Sequence, residues 1–467
     1  MNASQPTDLQ TLLKTAETLR PTLGEGFRDE MVNALYREAE TISERAVHQQ
    51  GNRHYDLDQR IDRLITSPIF GLPLMLLLLA AVFWVTIVGA NVPSAMLANA
   101  LFWVEEQAAA LFTAWGAPWW LTGFIWHGVY RGLAWVVSVM LPPMAIFFPI
   151  FTILEDLGYL PRVAFNLDFL FKKAGAHGKQ ALTMAMGFGC NAAGVIATRV
   201  IDSPRERLIA ILTNNFVPCN GRFPTLIMLA TVFIGAAFPP LFASFAAAGS
   251  VVLIVLIGVF FTLVVSWLLS RTILRGEASA FTLELPPYRV PNIGRILYTS
   301  LIDRTIFVLL RAMATAAPAG AAIWILGNIT VSGVSLAQHI ANFLQPFGVL
   351  LGLDGVILLA YIIAIPANEI VVPTMLMVYT GVGMMIDVPD YNSLYDLLVH
   401  QNHWTLLTAI NLMLFSLLHN PCATTIATIY KETGSRKWAA LSVVITLGLA
   451  FAVTALTAAV ARLLGWV

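Results

Sequence analysis

Three cysteines, Cys190, Cys219 and Cys422, make up the whole thiol complement of this 467-residue chain, and each stands where an apolar stretch is interrupted by Gly, Pro or Asn. Their surroundings read Gly187-Phe188-Gly189-Cys190-Asn191, Pro218-Cys219-Asn220-Gly221-Arg222 and His419-Asn420-Pro421-Cys422. A helix broken in lipid exposes backbone carbonyls and amides, which is tolerated only where protein or a water-filled cavity covers them. Sulfur ligands favour softer transition metals, whereas Mg or Ca wants carboxylates and carbonyls. Sulfur at three such breaks therefore points to a pathway for a soft or borderline metal ion. The plainer reading of each thiol alone is a small buried hydrophobe.

One carboxylate lies deep inside a broken apolar stretch: Glu369, in Pro366-Ala367-Asn368-Glu369-Ile370-Val371-Val372-Pro373. An ionisable group there is costly and is a functional candidate by default. Asn191, Asn214, Asn215, Asn220 and Asn420 could offer side-chain carbonyls to an ion, although Asn also caps helix ends at such breaks, the more ordinary role for each. Gly189 belongs to the same first break. Glu155 and Asp156 close a long apolar run and suit either cation hand-over at a membrane exit or an ion pair with Arg162 or Arg199. No phosphate-binding glycine loop and no Gly-x-Gly-x-x-Gly occurs, so no nucleotide hydrolysis and no bound organic cofactor are expected of this chain. No nucleophile and base pair marks an enzyme, and Cys-x-x-Cys spacing is absent.

These residues need elements that hold them in lipid. With 58% hydrophobic and 12% charged residues and a mean hydropathy of +0.74, the chain is far more apolar than a soluble domain, where about 25% is charged. Apolar runs long enough to cross about 30 Å of hydrocarbon fall near 69–90, 122–153, 208–235, 245–270, 305–330, 405–429 and 438–464. Two more, 180–201 and 351–380, are broken internally. Lys and Arg are missing from Leu64 to Tyr130 and from 312 to 430. The positive-inside rule then turns the first inter-span loop and the 381–403 loop, with Asp387, Asp390, Asp396, His400 and His403, outward. It turns 154–179 inward. The stretch 180–201 has cytoplasmic flanks and the second broken stretch has outward ones. Broken elements entering from opposite faces are the mark of an inverted-topology repeat with its site near the midplane.

The expected fold is accordingly all-α: a polytopic membrane helical bundle with two gate-type inverted repeats containing broken or re-entrant helices. The divisions are a cytosolic helical segment at 1–66, a first gate half at 67–280, a cytoplasmic linker at 281–304 and a second gate half at 305–467. No signal peptide precedes the body, so a multi-pass protein of the cytoplasmic (inner) membrane with a cytoplasmic N-terminus is expected.

The run from Leu154-Glu155-Asp156 through Gly158-Tyr159, Arg162, Asp168, Gly187-Phe188-Gly189-Cys190-Asn191, Thr198-Arg199 and Arg207 to Cys219-x-Gly221-Arg222-x-Pro224 resembles the ferrous iron transporter B family. Glu369-Ile370-Val371-Val372 looks like that family's second gate motif, and Pro421-Cys422 with Glu432 looks like its C-terminal cysteine motif. Asp62-Arg63 through Pro73 looks like its junction into the first span. The resemblance implies Fe(II) as the transported ion, cysteines on the pathway, and Cys190, Cys219, Cys422, Glu369 and Asn191 as metal-contacting residues. Gly189, Asn220, Asn368, Glu155 and Asp156 would line the route. Asn368 stands where the family commonly has Lys. The family's GTPase domain has no counterpart here, which implies a separate GTPase subunit docking on the N-terminal helices or the 271–304 loop. A small cytosolic accessory protein and a homo-oligomer fit the same picture, and a nucleic-acid partner does not.

Two other readings stand beside the iron permease. One is a nucleoside-like organic solute transporter of gate architecture, in which Asn and Glu at half-helix ends bind sugar hydroxyls and the cysteines are incidental. The other is a membrane sensor or assembly subunit that binds metal without moving it.

Overall fold

The computed structural model describes residues 15, 18, 27–46, 60–67, 69–276, 288–386 and 391–465. Asp387, Asp390, most of 1–59 and the first part of the 281–304 linker lie outside the described residues. Helices make up nearly all of the rest. The strands among the described residues are β1 (Thr330–Val331) and β2 (Val334–Ser335), a short antiparallel ribbon pairing Thr330 with Ser335.

The helix α1 (Phe27–Ala46) interleaves Met31, Leu35, Tyr36 and Ile42 with charged residues and leaves those apolar side chains exposed. The first span, α2 (Gly71–Ala114), runs 44 residues, about twice what the hydrocarbon needs, and is longer than the apolar run at 69–90. It packs along α3 (Trp119–Asp156), which contains a π-helical stretch at Gly123–Tyr130 and three prolines, Pro142, Pro143 and Pro149.

The first broken region follows: α4 (Tyr159–Lys173), α5 (Gln180–Gly189), α6 (Asn191–Ala197), α7 (Pro204–Thr213) and α8 (Phe223–Ala237). The run 208–235, expected as a full crossing, is instead two short helices parted at residues 217–222. Pro218 has no amide to give a helix, and Gly221 has no room for a side chain. The span α9 (Pro240–Arg271) closes this region.

After α10 (Ile293–Ile302) comes the span α11 (Phe307–Asn328). It meets α3 at Gly132 and Gly320, where an added Cβ on Gly132 would stand 3.0 Å from the Gly320 Cα. Close approach at small residues is how membrane helices pack without a hydrophobic drive. Then α12 (Leu336–Leu350) and α13 (Gly355–Ile363) fold against each other across a 111° bend. Asp354 caps α13 by accepting from Ile357 N at 2.7 Å, and Gly355 lets α13 press on the α12 backbone. The chain continues through α14 (Val371–Thr380), α15 (Tyr391–Tyr395), α16 (Leu406–Leu418), α17 (Ala423–Thr433) and α18 (Arg436–Leu463). The 405–429 run is thus also two helices, parted at residues 419–422.

Among the described residues, six helical spans are long and apolar enough to cross a membrane, with α16 and α17 counted as one, or seven if α12 and α13 form one bent span. The bundle is all-helical with broken elements at its centre, as the sequence leads one to expect.

Candidate metal pathway

Four interruptions define the centre of the molecule, and they come in two matched pairs. Between α5 and α6, Cys190 is extended at φ −153°, ψ 126°. Between α13 and α14, Ala367 is extended at φ −152°, ψ 118°. An Asn follows each, Asn191 and Asn368, and opens the next helical turn. The second pair shares sequence: Pro218-Cys219 lies before α8 and Pro421-Cys422 before α17.

Hydrogen bonds tie the four breaks into one structure. Asn220 N donates to Gly189 O at 3.3 Å and Ala423 N to Ile365 O at 2.8 Å. The Asn191 and Asn215 amides meet at 3.2 Å, and Asn214 donates to Asn191 O at 3.1 Å. Asn215 also donates to His419 O at 2.8 Å. Arg222, 1% exposed, donates to Asn215 O and Leu417 O at 2.8 Å, to Asn215 Oδ1 at 3.3 Å, to His419 O at 3.1 Å and to Asn420 O at 3.4 Å. A broken helix leaves carbonyls that must find donors, and one guanidinium supplies them to both members of the Pro-Cys pair.

Within this frame Cys190 and Cys219 are buried and Cys422 is half-buried. The three thiols lie within electrostatic reach of one another, and Glu369 within reach of Cys219 and Cys422. The Glu369 carboxylate rests against Gly221, where any Cβ would overlap it. No three of the described His, Cys, Asp and Glu side chains stand close enough to form a coordination site. The groups make a neighbourhood rather than a closed cage.

Other sequence candidates fall into clear places. The Gly189 Cα faces the rings of Phe147 and Phe148 with no space for a side chain. Asn191 is held by the amide network and caps no helix end: Cys190 stands at that N-cap position, and no side chain bonds the first-turn amides. Asn368 turns to His419, whose Nε2 lies 3.2 Å from its Oδ1. Glu155 lines a cavity of about 510 Å³ together with Met186, Ala192, Ala193, Arg311 and Thr424. Met186 O accepts from Cys190 N at 3.2 Å, and Thr424 is two residues past Cys422, while the thiols themselves do not line this cavity. Asp156 is exposed beside it. Arg162 pairs with Asp62 at 3.0 Å and Arg199 with Glu432 at 2.6 Å.

Sequence reasoning passed over Arg222 and His419 as functional residues, and quoted Glu432 only within a motif. Glu432 holds Arg199 and Arg207 together, the latter at 2.8 Å, and joins the α6 and α7 side of the molecule to α17. The absence of Lys and Arg from 312 to 430 was the available signal for Arg222: carbonyls at the 419–422 break have no local cation.

Residues 137–233 match the family "Gate: Nucleoside recognition" and residues 251–303 match "Ferrous iron transport protein B C terminus". A Fe(2+) transporter FeoB of Staphylococcus aureus is 29% identical over 410 residues, covering 85% of this chain and 58% of the relative. That of a Synechocystis species is 31% identical, covering 82% and 60%. A Fe(2+) transport protein A/FeoB fusion protein of Porphyromonas gingivalis is 27% identical, covering 85% and 51%. The chain thus spans somewhat over half the length of these curated relatives. No solved structure matches. Over 82–85% of its length the chain is thus similar to these Fe(2+) transporters, and residues 251–303 match the family model of the ferrous iron transport protein B C terminus.

Proposed function

We propose that this chain is the permease of a ferrous iron importer, moving Fe(II) between two gate halves, 67–280 and 305–467, into the cell across the cytoplasmic membrane. The observation that supports this is the placement of Cys190, Cys219, Cys422 and Glu369 at helix breaks that hydrogen bonds tie to one another. Sulfur with one carboxylate suits a borderline divalent ion, and incomplete coordination lets it leave. Glu155 and Asp156 would receive the ion at the cytoplasmic mouth, where the N-terminus also lies.

A separately encoded GTPase supplies the nucleotide cycle in this reading. A small accessory protein is a second partner, supported by the relative whose name joins transport protein A to the transporter. The test is Fe(II) influx into proteoliposomes containing the chain and the GTPase. Cys190→Ser should lower the initial rate at least tenfold. Wild-type liposomes without iron influx would reject the permease.

The organic-solute reading draws on one observation, the description "Nucleoside recognition" for residues 137–233. Adding excess nucleoside to the same assay separates the two. Influx of labelled nucleoside without iron flux would favour the solute carrier.

A further inference from the structure

On the side that the positive-inside rule turns inward, Arg162, Lys172, Lys179, Arg199 and Arg207 each meet a carboxylate within 3.1 Å. Lys173, Arg205 and Arg271 meet none among the described residues, and they gather at one corner. Lys173 is the last residue of α4 and Arg271 the last of α9. The two helix ends touch: Ser270 Oγ donates to Ala174 O at 3.3 Å, and Gly175, at φ +71°, leaves no room for a Cβ beside that hydroxyl. Arg205, near the start of α7, reaches the same place. Its Nε donates to Leu274 O at 2.6 Å, while its buried Nη1 has no acceptor among the described residues. Of the nearby carboxylates, Asp168 is held by Lys172 and Glu206 is buried. Buried donors are nearly always satisfied, so this corner is short of an acceptor.

The same corner carries the marks of a membrane surface. On α4, Phe165, Phe169 and Leu170 are exposed, and this 15-residue helix is too short to cross about 30 Å of hydrocarbon. In a chain that spans the bilayer, an apolar face with lysines beside it lies in the interface, its rings in the acyl boundary. Trp267 is exposed on α9 in the same way. Each ring carries the cation one turn further on: Lys173 Nζ lies 4.1 Å from the Phe169 centroid, and the Arg271 guanidinium 4.9 Å from that of Trp267. A cation over an exposed ring keeps its stem in the apolar layer and its charge among the headgroups. Two such pairs on adjoining helix ends set two positive charges side by side there.

We propose that Lys173, Arg271 and Arg205 form a binding site for the phosphate of an anionic phospholipid, with Phe169 and Trp267 against its acyl chains. Basic pockets between membrane helices take such headgroups by charge, and the exposed rings favour a lipid over a free anion, which offers them no hydrocarbon. A lipid held there ties α4, the element that leads into α5 and the Cys190 break, to the end of α9. The site does not depend on what crosses the membrane, so the iron influx assay neither supports nor removes it.

The test titrates the full chain in neutral detergent with phosphatidylglycerol or phosphatidylcholine and counts lipid adducts by native mass spectrometry. Wild type should take one phosphatidylglycerol at least about tenfold more tightly than phosphatidylcholine. Lys173→Gln and Arg271→Gln should each weaken phosphatidylglycerol about fivefold and leave phosphatidylcholine unchanged. Both side chains are exposed, so the unfolding temperature without lipid should stay at the wild-type value. The double variant Arg436→Gln/Lys437→Gln removes two exposed cations at the start of α18 and should change neither affinity. Equal affinity of wild type for the two lipids, or an equal loss in the α18 variant, would overturn the site, because charge in general would then account for any binding. Displacement of phosphatidylglycerol by millimolar inorganic phosphate would assign the corner to a free anion and overturn the lipid reading.

Discussion

Two arginines, Arg162 and Arg222, are equally buried at 1% exposure, and they are neutralised in opposite ways. Arg162 meets a carboxylate: its Nε and Nη2 donate to Asp62 at 3.0 and 3.2 Å, and its guanidinium lies 4.1 Å from the Tyr288 ring centroid. Arg222 forms no ion pair among the described residues and is held by five neutral oxygens drawn from two separated breaks. The first is a clamp between chain segments. The second is a tethered cation filling a cluster of carbonyls that would otherwise attract a mobile one. The difference teaches that the carbonyls of Asn215, Leu417, His419 and Asn420 already have a tethered donor in Arg222, so on the proposed route the thiols and Glu369 are the candidates to meet an ion.

The largest way to break the contrast is Arg222→Met. It keeps the apolar stem and takes a donor from five acceptors; Asn215 Oδ1 and His419 O keep a second one, and each acceptor left unpaired costs about 1–3 kcal/mol. The costs overlap, so a loss of at least about 3 kcal/mol is expected. It should be visible as failure to accumulate in the membrane or as a much lower unfolding temperature in detergent. Arg222→Lys keeps the charge but offers three donors in place of the planar fork, and should recover only part of the stability. If Met is tolerated at wild-type stability, Arg222 is not what holds the two breaks together.

The sequence shows one of these arginines more clearly than the other. Arg162 stands among charged residues, where the sequence offers Glu155 and Asp156 as partners; the structure also pairs it with Asp62. Arg222 closes the Pro218–Arg222 interruption, which the sequence shows, yet hydropathy joins the flanking runs into a single crossing, and the bond to a second break 195 residues away could not be seen. The breaks at Cys190 and Ala367 were legible because Gly, Asn and Pro cluster there. Their matching backbone angles were not, since φ and ψ depend on packing from α3 and α17 as well as on local residue type. The thiols were legible as a set by their placement, whereas His419 read as part of a Pro-Cys motif. Its ring is held by the Ser416 carbonyl at Nδ1, a fact of the folded α16 terminus.

The smaller effect lies at the Arg162 clamp, and it carries a pH signature that Arg222 lacks. Partial burial works to raise the Asp62 carboxyl. The hydrogen bonds from Arg162 and Tyr288, with the Arg162 charge, outweigh it and hold the group below its ordinary value. A depressed carboxyl contributes stability above its unfolded value near pH 4 and loses it as pH falls through the folded value. Asp62→Asn should therefore cost about 1 kcal/mol at pH 7, modest because Asp62 is partly exposed. The gap from wild type should close as pH drops below 4. At the other end, burial and the bond to Asp62 push the Tyr288 hydroxyl up to about 12. Its share of the clamp is full below pH 10 and is lost as pH rises toward 12. Thermal unfolding of wild type, Asp62→Asn and Tyr288→Phe across this range checks both limbs. A wild-type to Asp62→Asn gap that stays constant down to pH 3 would mean that Arg162, like Arg222, is held mainly by neutral oxygens such as Gly158 O, which accepts from its Nη1 at 2.8 Å.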